Sequence, residues 1–397
     1  MKNAYKVLPL CLALSAVLIS MQLPAQHSLK LLVKHVPELH RNEALYVAGS
    51  FNAWNPEGQM LKFDKAEKYW YAEFNGLKDD VYEFKFTRGN WTKVQTNLTG
   101  HAVENNILKL TSDSTVEYSI AGWGDDFIAV AKKHSFSPNV SVMDSAFYMP
   151  ELKTHRRIWI YLPPSYSKST RRFPVLYMQD GQNLFDDYTS GYGEWKVDES
   201  LDSLIAAGRP ACIVVGVDNG PMRMNEYNPF NSERFGEGDG DQYLGFMVNS
   251  LKPYIDKHYR TMPSKGNTLI AGSSMGGLLS YYAMLKYPQV YGKAGVFSPS
   301  FWTAPAINHL TDSLSPKQKG KFFFYAGGLE GETMIPDMMR ISDALGANSG
   351  ASLYVLIDPD KRHNEQAWHS CFAQFYCWIM AEGNNFVVDT KGTAEAK

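Results

Sequence analysis

The chain of 397 residues carries 39 Lys and Arg against 41 Asp and Glu, a formal net charge of −2. That balance removes the electrostatic reason to expect nucleic acid or an anionic membrane surface as a partner. With 44% hydrophobic and 13% aromatic residues, disorder, collagen-like repeats and a multi-span membrane protein are excluded, and the length fits two to three domains of about 150 residues each.

In chain order, residues 1–25 read as a secretory signal. Lys2 and Lys6 precede the mostly apolar run from Val7 to Met21, and Gln22-Leu23-Pro24-Ala25 supplies a cleavage site before Gln26. The run falls short of the about 20 apolar residues a membrane-spanning helix needs. The mature protein is therefore expected to be exported, periplasmic or extracellular, with no membrane span. Cys212, Cys371 and Cys377 then remain; an odd number cannot pair completely, and buried free thiols are expected. No Cys/His pair has zinc-ligand spacing, and no metal is expected.

Residues 28–112 contain short runs with period-two alternation, such as Tyr69–Phe74 and Tyr82–Phe86, punctuated by Asn75-Gly76, Asp79-Asp80 and Gly89-Asn90. An all-β sandwich is predicted. Residues 113–138 show little pattern and read as a linker. From 139 to 382 apolar strands alternate with helical patterns. The strands are Arg157–Leu162, Phe173–Met178, Cys212–Val217, Thr268–Ala271, Ala294–Phe297, Lys321–Tyr325 and Ser352–Ile357, and the helices are 241–257, 276–287, 334–346 and 364–381. That rhythm predicts a mostly parallel sheet with helices on both faces, the α/β class. Residues 383–397 read as a C-terminal tail.

Gly272-Ser273-Ser274-Met275-Gly276 follows one of these strands and opens a helix. In that setting a sharp turn lifts the Ser274 hydroxyl above the sheet, and the Met275 N–H at the helix start points at a developing oxyanion. A serine hydroxyl needs a base. Of the histidines beyond Ser274, His363 stands just after a strand and is preferred over His369 and His309. The acid is expected after the preceding strand, where Glu330 is chosen and Glu332, Asp337 and Asp358 remain open. A second oxyanion donor is expected after Phe173–Met178, in Asp180-Gly181-Gln182-Asn183, with the Gln182 N–H as the donor.

These residues, with Arg157–Tyr166, Tyr177–Phe185, Gly193–Asp198, Ile213–Gly220, Gly272–Gly277, Ser298–Trp302 and His363–Trp368, resemble the esterase family of α/β-hydrolases. That group includes esterase D, enterochelin esterases, feruloyl and acetyl-xylan esterases and mycolyltransferases. The resemblance spans residues 139–382 and implies a Ser274–His363–Glu330 triad and no cofactor. Many relatives carry His-Gly at Asp180-Gly181 and Asp at Glu330. Asn183, Glu194, Trp195, Asn219, Tyr227 and Trp302, at strand ends, are expected to bind substrate. Residues 223–241 form either a lid or a long surface loop.

The first region resembles starch- and glycogen-binding modules of immunoglobulin-like fold, through Gly49–Pro56, Tyr82–Phe86, Gly89–Trp91 and Glu104–Asn106. The resemblance implies Trp54 and Trp91 as stacking platforms and Lys85, Asn105 and Asn106 as partners for sugar hydroxyls. A docking surface or a spacer are the other readings. The whole is expected to be an exported serine carboxylic-ester hydrolase acting on a small-molecule or oligosaccharide ester, with acyl or feruloyl groups on carbohydrate as the favoured substrate and polysaccharide as a possible partner. A siderophore trilactone esterase, an acyltransferase and a non-catalytic polysaccharide-binding protein are the alternatives.

Overall fold

The computed structural model describes residues 26–52, 54–100, 103, 105–127, 133–232, 235–381 and 386–390. The segment read as a secretory signal, 1–25, lies outside them. Among the described residues no helix is long and apolar enough to cross a membrane. The chain divides into two compact units, residues 1–130 and 131–397.

The first unit is all β. One sheet has the order Lys62–Asp64, Tyr69–Lys78, Gln26–His35, Ser114–Ser119, and a second the order Gln59–Met60, Tyr46–Gly49, Asp80–Thr87, Asn106–Leu110. Alternation sends Leu29, Leu31 and Val33 from one sheet and Val47, Phe84 and Phe86 from the other into a shared core that also holds Trp123. The stretch read as a linker is corrected here. Ser114–Ser119 is a strand that pairs in parallel with Gln26–His35, and Gly122–Trp123 pairs with Gln95–Thr96. Ser114–Ser119 has only Val116 and Tyr118 as apolar residues, too few for a period to stand out from sequence.

The second unit is built on a nine-stranded sheet in the order Val140–Met149, Thr154–Tyr161, Ile213–Val217, Val175–Gln179, Thr268–Ser273, Lys293–Phe297, Lys321–Gly327, Ser352–Asp358, Phe386–Thr390. The first two pairings are antiparallel and the rest are parallel. Two apolar layers cover its faces, one around Tyr281, Phe322 and Phe324 and one around Trp195, Phe323 and Phe375, so the central strands are apolar along their whole length. This is the expected α/β-hydrolase class.

Three local features depart from the sequence reading. The tail contains a strand, Phe386–Thr390, at the sheet edge. The helix expected over 241–257 is three pieces, Gly240–Phe246, a π-helical turn Met247–Leu251 and Lys252–His258. Pro253 explains the widened turn, because its ring lacks an N–H and crowds the carbonyl four residues back. Cys212, Cys371 and Cys377 form no disulfide, and burial pushes Cys212 up to about 12.

Candidate active site

The serine strand Thr268–Ser273 turns directly into the helix Met275–Lys286, and Ser274 between them has φ +57° and ψ −122°. A non-glycine residue in such a conformation costs about 1–3 kcal/mol and persists only where its surroundings hold it. They do. The Ser274 N–H donates to the Phe297 carbonyl (2.9 Å) and its carbonyl accepts from Ser300 N (3.1 Å). Its Oγ lies 3.0 Å from Ser300 Oγ. Gly272 permits the close approach, since a Cβ there would fall 2.9 Å from the Gly276 backbone carbon. The first N–H groups of the helix, Met275 among them, have no partner within the helix.

Two strands along, Lys321–Gly327 and Ser352–Asp358 run parallel and in register from Lys321↔Ser352 to Gly327↔Asp358. The loops that leave them carry Glu330 and His363. His363 Nδ1 meets Glu330 Oε2 at 2.7 Å, the carboxylate side chain fully buried and the imidazole about one third exposed. Glu330 Oε1 accepts from Gly327 N (2.6 Å) and Ser298 Oγ (2.7 Å). Trp368 Nε1 donates to Ser298 Oγ (2.9 Å), and the Trp368 ring stands edge-on to His363 at 5.2 Å. An imidazole whose Nδ1–H is committed to a carboxylate presents Nε2 as an acceptor, the state a general base needs. Of the other candidates, Asp337 sits in the helix Met334–Asn348, His309 in the helix Ile307–Leu314, and His369 is bonded through Nδ1 to the Trp195 carbonyl at 3.0 Å.

The loop after Val175–Gln179 begins with Asp180 at φ +57° and makes a single turn, Gly181–Asn183. Gly181 presses on the neighbouring strand, for a Cβ there would fall 2.9 Å from the carbonyl carbons of Gly216 and Val217. The Asp180 carboxylate accepts from Arg223 Nε (2.7 Å) and Nη2 (2.8 Å) and from Asn219 Nδ2 (2.6 Å). Gln182 Oε1 accepts from Asn219 N (3.1 Å), and the Gln182 carbonyl accepts from Thr189 Oγ1 (2.8 Å). The loop that carries the Gln182 N–H is thus tied down at both ends. The Asp180–Arg223 ion pair was absent from the sequence reading.

The remaining expected substrate contacts divide. Trp302 is 42% exposed, with Phe235 edge-on at 5.8 Å. Asn219 is half-buried, and Asn183 is buried with its amide donating to Glu365 Oε1 (3.2 Å). Burial, with the Asp180 charge nearby, pushes Glu365 up to about 7. Trp195, Tyr227 and Glu194 are corrected from substrate contacts to interior groups. Trp195 packs between Trp368 (5.5 Å) and Phe297 (5.0 Å). Tyr227 packs edge-on to Tyr243 at 5.1 Å, its hydroxyl accepting from Asp180 N. Glu194 accepts from Ser135 Oγ at 3.0 Å and is pushed up to about 7 by burial. Strand-end loops fold back over the sheet, so their large apolar residues fill the space beneath rather than face the opening. Ser298 and Ser300 were missed as site residues; the only signal for them was their place in the Ser298–Trp302 stretch.

Among the described residues, two groups bring three potential metal ligands together, His40/Asp125/Asp126 and Glu194/Asp198/Glu199. The first is threaded by the buried guanidinium of Arg88, bonded to Glu43 and Asp125. In the second, burial holds Asp198 well above the usual carboxylate range. Neither includes Ser274, His363 or Glu330.

In the first unit Trp54 and Trp91 have ring centroids 6.4 Å apart at 38°, and Trp91 is 42% exposed. Lys85 is half-buried on the strand Asp80–Thr87, opposite Ala48. Asn105 donates to Glu83 Oε2 (2.9 Å), while Asn106 donates to the Phe84 carbonyl (3.2 Å) and Gln95 Oε1 (3.3 Å).

Comparison with known proteins bears on the second unit. The family described as "Putative esterase" matches residues 150–328. The uncharacterized protein YbbA of Bacillus subtilis is 33% identical over 184 residues, 45% of this chain and 70% of that one. An endo-1,4-beta-xylanase/feruloyl esterase of Xylanibacter ruminicola is 26% identical over 216 residues, 53% of this chain and only 27% of its own length. The BES protein from Bacillus cereus has the same fold, with a TM-score of 0.53 at 19% identity over 64% of this chain and all of that one. This chain therefore belongs to the esterase family of α/β-hydrolases and is a carboxylic ester hydrolase.

Proposed function

We propose that the protein is an exported serine esterase that cleaves acyl or feruloyl esters of carbohydrate through an acyl-enzyme. The observation that carries the mechanism is the 2.7 Å bond between His363 Nδ1 and a fully buried Glu330 carboxylate, on the same sheet edge as the strained Ser274 turn.

Ser274 Oγ attacks the ester carbonyl as His363 Nε2 takes its proton, and Glu330 stabilises the imidazolium. The oxyanion is met by the Met275 and Gln182 N–H groups; losing one such donor costs about 2.7–4 kcal/mol. Collapse of the tetrahedral intermediate breaks the ester C–O bond, with His363 protonating the leaving alcohol. Water, deprotonated by His363, then attacks the acyl-enzyme and releases Ser274.

Two observations favour an aromatic acyl group on carbohydrate. The exposed Trp302, edge-on to Phe235, follows Ser300 by two residues and offers a flat apolar face near the nucleophile. In the first unit the tilted Trp54–Trp91 pair suits the C–H face of a sugar. Asn106 spends its amide on the Phe84 carbonyl and Gln95 and offers a sugar no further donor. The name of the Xylanibacter ruminicola relative, which joins xylanase and feruloyl esterase, points the same way, and the 1–25 segment supports export.

Ser274→Ala should abolish turnover of p-nitrophenyl acetate and methyl ferulate, by about 10⁴-fold or more, with the melting temperature held. Full retained activity overturns the mechanism. Preference for trilactones over feruloylated xylo-oligosaccharides makes the protein a siderophore esterase instead, and acylated acceptor alcohol among the products makes it an acyltransferase.

A further inference from the structure

Building on the Ser274–His363–Glu330 reading, we propose that Ser298 is a positioning residue that locks the Glu330 carboxylate in the orientation required by His363, with Trp368 fixing the direction of the Ser298 hydroxyl.

Ser298 follows the strand Lys293–Phe297 in a left-handed conformation, φ +43°, and is fully buried. Its N–H donates to the Tyr325 carbonyl at 2.7 Å. Its hydroxyl stands between two groups, Trp368 Nε1 at 2.9 Å and Glu330 Oε1 at 2.7 Å. An indole N–H can only donate, and an ionised carboxylate can only accept. The single Ser298 proton is therefore directed at Glu330, with no rotamer of the hydroxyl hydrogen to choose between. With the Gly327 N–H at 2.6 Å, Oε1 has two donors and the carboxylate cannot swing. Oε2 is left to hold Nδ1 of His363.

The indole touches both ends of this chain of bonds. Its Nε1–H orients Ser298, and its ring stands edge-on to the imidazole at 5.2 Å. The turn that starts at Ser298 also reaches the nucleophile, since Ser300 N donates to the Ser274 carbonyl and Ser300 Oγ lies 3.0 Å from Ser274 Oγ. One short turn thus registers the acid and the nucleophile against each other. Ser298 touches no reacting atom. Its contribution is geometric, and displacements of about 1 Å in such groups cost on the order of 100-fold in rate.

Ser298→Gly separates this role from backbone strain, because glycine accepts a positive φ while losing the CH2OH group, and Ser298→Ala removes the hydroxyl alone. Ser298→Gly, Ser298→Ala, Trp368→Phe, the double variant Ser298→Gly/Trp368→Phe and Ser274→Ala are compared in the full chain with p-nitrophenyl acetate. For Ser298→Gly we expect kcat to fall about 10- to 100-fold, with KM within about threefold and the melting temperature unchanged or raised. Trp368→Phe should lose less and add nothing further in the Ser298→Gly background, the signature of two residues acting in one chain. Ser298→Ala gives the same reading if the glycine variant does not fold. If kcat of Ser298→Gly stays within about twofold of wild type while Ser274→Ala is inactive, the positioning role is overturned and the serine mechanism stands. Fully additive losses in the double variant overturn the link to Trp368. Activity in Ser274→Ala overturns the mechanism itself.

Discussion

The two units use the same residue types for opposite ends. In the hydrolase unit two tryptophans go inward while Trp302 stays exposed. Trp195 and Trp368 lie under the strand-end loops, and the polar groups around them bond to one another until Glu330 and His363 have one geometry left. In the β unit Trp91 is turned out beside Trp54, while the amide of Asn106 is spent on its own strands. A polar residue at a motif position can act on a ligand only with atoms that the fold leaves over. In the hydrolase unit those atoms are the ones proposed above as a reaction centre; in the β unit they amount to an aromatic face.

Substitutions can break or sharpen that contrast. The largest effect is expected from Glu330→Gln. An amide cannot stabilise the imidazolium as a carboxylate does, and kcat should fall by about 10³- to 10⁴-fold with KM nearly constant; steady-state kinetics on methyl ferulate check it. Gly181→Ala comes next. Its Cβ would overlap the backbone of Gly216 and Val217, so the loop carrying Gln182 must move. A loss of about 100-fold in kcat is expected from the displaced oxyanion donor, alongside a lower melting temperature.

Glu365→Gln tests the buried polar ring through its pH dependence. The folded protein holds Glu365 near 7 against an ordinary 4.5, burial being the main cause. Between those values the folded state binds more protons than the unfolded one, so this group makes the protein less stable as pH rises through that window. The variant should match wild type near pH 5 and be more stable by about 1–2 kcal/mol near pH 8, read by thermal or urea unfolding. The smallest change in catalysis is expected from Trp91→Ala. It should leave turnover of soluble esters unchanged and weaken retention on glycogen or xylan gels by about tenfold. Unchanged retention would make the β unit something other than a sugar-binding module.

Much of the hydrolase was legible because central parallel strands are continuously apolar and each ends where a chemical residue stands. Ser274 announced itself through the strand, turn and helix around Gly272–Gly276, and His363 by its place after Ser352–Asp358. The bond between Glu330 and His363 was inferable from chain order, although nothing local separates Glu330 from Glu332. Ser298, Ser300 and Arg223 were not legible as site residues. Their roles come from pairings across 26 to 43 positions of sequence, which no local period records. Trp195 and Tyr227 were misread as facing outward because a position near a strand end does not tell which way a side chain turns. Pairing partners distant in sequence also explain the missed strand Ser114–Ser119, whose neighbour is Gln26–His35.

The strand Phe386–Thr390 lies along Ser352–Asp358 and forms the outer border of the nine-stranded sheet. It occupies the backbone donors and acceptors of the strand whose following loop delivers His363. A recombinant version cut after Met380 would bare a ladder lined with Leu353, Val355 and Leu356, the kind of raw border onto which other molecules add strands. Shortened forms should precipitate or associate as concentration rises, and the strand that precedes His363, the base proposed above, would lose its outer neighbour at the same time. Residues 386–390 are therefore the wrong place to economise when the protein is expressed.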